Sequence, residues 1–208
     1  DANPQWRVLR KNGQFYSSQS LPYPLCPRQP EVRQWWRGFV KDLLEAYPDL
    51  DGIDVAEPAL SWREGETCYC PVCRAEYTDT GKMTAKRWNE YRSVPLVDVV
   101  LDTFRLAHIQ GKEATLTTVL PADKEGNILP FTVLRDLTGL DVDKILSSSE
   151  RPEYLSVEFM WQEWASIFND EETFQPSWIT DALSQVCRRV DDRTQLVAHL
   201  ELSDFNRI

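Results

Sequence analysis

Histidine is nearly missing from this 208-residue sequence, with two copies, and glycine is sparse, with eight. Two histidines cannot build a histidine-rich metal centre, and without a G-x-S-x-G segment no nucleophile elbow is legible. Neither G-x-G-x-x-G nor G-x-x-x-x-G-K-[ST] occurs, so a glycine loop that cradles nucleotide phosphates is not expected. No apolar run approaches the roughly 18 residues needed to cross a bilayer. Positive charge is also short: 23 Lys+Arg stand against 33 Asp+Glu, a net charge of −10. That balance disfavours both nucleic acid and anionic membranes as partners. Low-complexity tracts, internal repeats and long runs of like charge are missing as well.

What the sequence does have is apolar bulk. Hydrophobic residues make up 42% and aromatic residues 11%, including eight Trp, enough for one substantial core. Residues 1–30 carry five prolines and an Asn12-Gly13 turn signal, and read as a long irregular connection. From Pro30 the pattern changes. Val32, Trp35, Trp36, Phe39, Val40, Leu43 and Leu44 recur at helical spacing, which predicts a helix over 31–46 with both Trp residues in the core. The segment 50–57 follows, short, apolar and stopped by Pro58, and suits a buried strand ending at Glu57.

The same helix-then-strand unit recurs at 85–109 with 114–120, at 131–148 with 154–161, and at 176–190 with 195–202. Four alternations with apolar strands point to an α/β fold with a parallel sheet covered by helices. Long loops at 58–84, 121–130 and 162–175 follow the strand ends, whereas helix-to-strand links are short. In an α/β barrel that asymmetry places the chemistry at the C-terminal ends of the strands. A complete (β/α)8 TIM barrel takes about 250 residues, so the expectation is about half of one, an incomplete barrel domain over 1–208 with an irregular connection at 1–30 and a cysteine loop at 58–84. The opening Asp1-Ala2-Asn3-Pro4 has no initiator Met and reads as a cut end. A smaller doubly wound domain is the competing architecture.

Five cysteines occur, at 26, 68, 70, 73 and 187. An odd count with three members in Cys-x-Cys-x-x-Cys argues against a simple disulfide framework. Cys68, Cys70 and Cys73 are too close for efficient mutual disulfides but suit a tetrahedral ion with Zn–S bonds of about 2.3 Å. The fourth ligand is expected to be Cys26, since barrel geometry brings its loop beside the loop after the first strand. Cys187, between Val186 and Val190 in a predicted helix, reads as a small buried hydrophobe. The bland reading is a set of free or disulfide-bonded thiols. A closed four-thiolate site has no open coordination position, so zinc there would stabilise a loop rather than react.

Carboxylates mark the strand ends. Glu57 ends the first strand, Glu201 takes the matching place on the last, and Glu158 on the third is its rival. Two carboxyls converging at one barrel mouth are what glycoside hydrolysis requires, one protonated to assist the leaving group and one ionised. Strand alternation groups Glu57 with Ile53 and Val55, and Glu201 with Val197 and His199. Trp62, Trp161, Trp164 and Phe205 lie just past strand ends, where planar surfaces could stack on sugars. Taken singly, a Glu at a strand end is a solvated loop residue and His199 a satisfied strand residue, so the combination carries the reading. Trp62, Glu158, Trp161 and His199 are the candidate substrate contacts.

Three segments together resemble a known group: Leu25-Cys26-Pro27-Arg28-Gln29-Pro30, then Gly52-Ile53-Asp54-Val55-Ala56-Glu57, then Cys68-Tyr69-Cys70-Pro71-Val72-Cys73. The pattern is similar to the clan-A glycoside hydrolases, in particular family 42 beta-galactosidases and related barrel hydrolases. The resemblance implies zinc on Cys26, Cys68, Cys70 and Cys73, Glu57 as acid/base at the end of the fourth barrel strand, and Glu201 as nucleophile at the end of the seventh. It implies a carbohydrate substrate and a retaining mechanism. Ala56 departs from the pattern, which has Asn there to bind the sugar 2-hydroxyl; that departure fits an inactive carbohydrate-binding or zinc-stabilised structural barrel instead. Strands one to three and eight would lie outside this sequence, and oligomer contacts could form through them. A thiolate zinc site suits a cytoplasmic or a secreted protein equally.

Overall fold

The computed structural model describes residues 3–77 and 84–200. Helix α1 (Pro30–Ala46) leads to strand β1 (Gly52–Ala56); a short helix α2 (Pro71–Glu76) interrupts the loop before α3 (Ala85–Ile109), which leads to β2 (Glu113–Val119). Helices α4 (Phe131–Thr138) and α5 (Val142–Ser147) precede β3 (Tyr154–Phe159), and α6 (Trp161–Phe168) and α7 (Trp178–Cys187) precede β4 (Gln195–Leu200). The four strands form one parallel sheet in chain order, β1-β2-β3-β4. The fold is therefore α/β with a parallel sheet and alternating helices, as the periodicity predicted. Among the described residues no helix is long and apolar enough to cross a membrane.

Alternation along each strand divides the sheet into two unlike faces. Val55, Ala114, Leu116, Leu155, Val157, Phe159, Leu196 and Ala198 join the hydrophobic core together with Phe104 of α3, Ile145 of α5 and Val186 of α7. The register aligns Ala56, Thr117, Ser156 and Val197 on the opposite face, with Glu158 beside His199 one step further along. The strands are thus not apolar on both sides. One face is core and the other is predominantly polar. Asp54 belongs to that polar face, where its carboxylate accepts from Thr117 Oγ1 at 2.8 Å.

The helices follow from local signals. Pro30 and Pro71 occupy first turns where their missing N–H costs nothing. Thr84 caps α3 by accepting from the Arg87 backbone N–H. The predicted 131–148 helix is two helices, because Gly139 takes a left-handed conformation (φ +91°) and ends α4, and Asp141 then caps α5. The predicted loop 162–175 contains α6, so the third strand stops at Phe159 and Trp161 begins a helix.

Two burial expectations are corrected. Trp35 is 48% exposed and Phe39 46%, while Trp36 is partly buried with its indole N–H donating to Thr103 Oγ1 at 2.8 Å. Helix α1 packs on α3 along one flank only, and its aromatic flank opens on a groove beside the outer edge of β1. Cys187 is exposed, not buried, because the neighbouring Val186 takes the inward direction of α7.

Candidate functional site

Cys26, Cys68, Cys70 and Cys73 come together from two segments, the residues just before α1 and the loop after β1 up to α2. All four are buried, and their sulfurs all lie within 4.8 Å of one another. Cys26 Sγ is 3.5 Å from Cys73 Sγ and 3.7 Å from Cys70 Sγ, and no disulfide links any of them. Tetrahedral geometry with bonds of about 2.3 Å puts ligand sulfurs roughly 3.8 Å apart, so the spacing fits a metal ion at the centre. Hydrogen bonds from Cys26, Cys68 and Cys73 pull Cys70 far below the ordinary thiol range, and Cys68 is lowered too, chiefly by Cys26. Cys26 is pushed up, first by its contact with Cys68, and Cys73 likewise, first by Cys26. The cluster therefore concentrates negative charge where water is excluded, which a cation would neutralise.

The surroundings hold this knot rigid. Tyr69 stacks on Trp88 at 4.5 Å, Tyr91 Oη donates to the Cys73 carbonyl at 2.9 Å, and Arg28 lies 4.0 Å above the Tyr91 ring while pairing with Glu76. Arg92 of α3, 1% exposed, reaches the loop from beneath: it donates to Ser61 Oγ and the Thr67 carbonyl at 2.9 and 3.1 Å, and to the carbonyls of Asp136 and Leu137 at 2.5 and 2.9 Å. The last two are orphan carbonyls at the end of α4, where a cation is favoured. Burial lowers the Arg92 pKa to about 10, and the hydrogen bonds keep the guanidinium occupied.

The second cluster lies at the C-terminal ends of the strands. Plain alternation would hide Glu57 with Ile53 and Val55 against the helices. Instead Glu57 has φ +45°, a left-handed conformation at a non-glycine residue, while its N–H still donates to the Thr117 carbonyl at 2.8 Å. Its carboxyl is close enough to feel the charge of Glu158, and His199 Nδ1 lies 3.3 Å from Glu158 Oε1. Burial pushes the Glu57 pKa up, helped by the charge of Glu158, the hydrogen bond to it and the charge of Glu163; His199 opposes the shift. The sequence gives no sign of this backbone conformation, because no glycine marks a positive φ here.

The other expected contacts divide. Trp62 is partly buried, with its backbone N–H donating to Tyr16 Oη at 3.3 Å and its indole Nε1 buried without a hydrogen-bond partner among the described residues. Trp161 opens α6 and lines a groove of about 700 Å³ with Gln162, Asn169 and Glu171. Trp164 turns toward Phe168, with centroids 6.2 Å apart, and packs on the core. Glu201 and Phe205 lie outside the described residues. Glu163, not anticipated, contributes charge to the mouth from α6, and only the unrecognised helix could have pointed to it.

No model of a known protein family matches the chain, and no curated protein matches it either.

Proposed function

We propose that the chain forms part of a (β/α)8 barrel glycoside hydrolase, with Glu57 as the acid/base and a structural zinc on Cys26, Cys68, Cys70 and Cys73. The observation that carries this reading is Glu57 itself, a carboxyl just past the end of β1, held toward its protonated form by burial and by the charge of Glu158. A general acid for glycosidic cleavage needs that state near neutral pH, and a neighbouring carboxylate to take the opposite role. Strand order supports barrel geometry, because sequential parallel strands with helices between them are what a singly wound barrel repeats. Glu201, which lies outside the described residues, is assigned as nucleophile from the resemblance and from its two-residue spacing after His199 in the sequence. A retaining mechanism would bring its carboxyl to about 5–5.5 Å from that of Glu57. Trp62 and Trp161 supply flat apolar surfaces for sugar rings. The zinc has no part in the chemistry and fixes the loop that follows Glu57.

Assay of the intact protein on a panel of chromogenic glycosides tests this. Glu57→Gln should lower turnover by about 10²–10⁴-fold, less for leaving groups acidic enough to depart unprotonated. Glu201→Gln should abolish turnover for every leaving group. Wild-type activity unaffected by both substitutions would refute the assignment.

Ala56 favours a second reading. It lies on the polar face at the rim, where the resembling hydrolases place an Asn that grips the sugar. A barrel lacking that contact could bind carbohydrate without cleaving it, and calorimetric binding of oligosaccharides with no turnover would select this reading.

A further inference from the structure

We propose that the two edges of the sheet are complementary to each other, so that a second copy of the chain lays its β4 along the outer edge of β1, beneath α1, and two copies close one eight-stranded barrel. The inference rests on the barrel reading of the fold and is independent of Glu57 as the acid.

The template lies inside the chain. Helix α3 stands between β1 and β2 in the sequence and packs on both, as each helix of a barrel does. Helix α1 leads into β1 in the same sense, yet it packs chiefly on α3, with Arg33 paired to Asp98 and the Trp36 indole N–H on Thr103. Its other flank overhangs a groove of about 480 Å³ lined by Trp35, Phe39, Leu43, Ile53 and Val55. A strand would lie in that space if α1 straddled two strands as α3 does. The far edge shows the converse. Leu196 and Ala198 of β4 pack on the core, but Leu200, aligned with the core residue Phe159, is 47% exposed. One edge is a helix without a strand beneath it, and the other is a strand without a helix above it.

Exposed apolar surface gathers at the same two places. Trp35, Phe39, Tyr47 and Leu50 lie on α1 or in its turn into β1, and Val197 and Leu200 lie on β4. Among the described residues no strand pairs with the outer side of β1 or of β4. All four strands run parallel in chain order, so β4 of one copy beside β1 of the next keeps direction and order, and a two-fold axis repeats the contact once and closes the ring. Closure satisfies the edge backbone groups that an open sheet leaves bare. A different protein would fit one edge; a second copy fits both at once. The shared rim would then carry two copies of Glu57 and of Glu158.

Sedimentation velocity of the intact chain over a concentration series reads the assembly, and wild-type protein should sediment at twice the mass of one chain. Leu200 is near the C-terminal end of β4, which faces the N-terminal half of α1 and therefore Trp35. Trp35→Lys and Leu200→Glu change side chains already exposed in the single chain, so far-UV circular dichroism should stay that of wild type. Each should raise the dimer dissociation constant by about 100-fold or more, because it sets a charge in an apolar contact. The double variant places opposite charges in that contact and should regain at least about 10-fold of the loss. A wild-type monomer at about 100 μM, a dimer indifferent to both single variants, a double variant that regains nothing, or a mass that climbs without limit through open head-to-tail contacts overturns the proposal. A dimer that cleaves no glycoside leaves the closure standing and sinks the hydrolase reading, whereas turnover by a monomer does the reverse.

Discussion

The thiol knot and the carboxylate mouth are both gatherings of acidic side chains, and they solve the problem of mutual repulsion differently. The four cysteines are at most 3% exposed, so water cannot screen them and a cation is the fitting neutraliser. At the mouth the Glu158 side chain is 23% exposed and that of His199 58%. There solvent reaches the charges and can screen them. Burial therefore separates the two clusters.

The sharpest way to break this contrast is to strip the knot of the zinc proposed for it. Extraction with a strong chelator, or Cys70→Ser, should cost at least about 5 kcal/mol, a fall in Tm of roughly 10–20 °C for a domain of this size. Metal analysis should give one zinc per chain, and an unchanged melting curve in chelator would show that the knot needs no ion. Next in size is Arg92→Met, which strips the buried loop carbonyls of their donor; urea denaturation should show a loss of about 3 kcal/mol. Arg92→Lys should recover only part of that, because an ammonium cannot span Ser61, Thr67 and the end of α4 together. Gly139→Ala should cost about 1–2 kcal/mol, since φ is +91° and an added Cβ would lie 3.1 Å from Leu60 Cδ1.

The mouth should respond to pH instead. Glu57 binds its proton more tightly folded than unfolded, so its contribution is fully present below the unfolded carboxyl range and is lost as pH rises through the raised folded value. Glu57→Gln should therefore match wild-type stability in acid and exceed it at neutral pH. Melting curves that differ by the same amount at both ends would show that the carboxyl is not set as described.

Much of this was legible in the sequence because two signals are local. Apolar spacing of 3.6 in α1, α3 and α7, followed by short apolar segments, announced the four helix–strand units, and the spacing of Cys68, Cys70 and Cys73 announced the knot. What escaped is set by tertiary context or by single backbone angles. Trp35 has core character but faces a groove that nothing in the described chain fills. Helix α6 spans eight residues, too few for periodicity to stand out, and its omission concealed Glu163. The break at Gly139 was marked by the Thr-Gly-Leu-Asp sequence, a C-cap followed by an N-cap, and could have been read. The left-handed backbone at Glu57 could not, since glutamate gives no sign of it.

That one dihedral has a further consequence. A left-handed glutamate is held against its own preference, with its N–H tied to the Thr117 carbonyl. Glycine would sit there at ease, so Glu57→Gly would exchange the carboxyl for a relaxed backbone. If the proposed acid role holds, a single peptide unit sets durability against use.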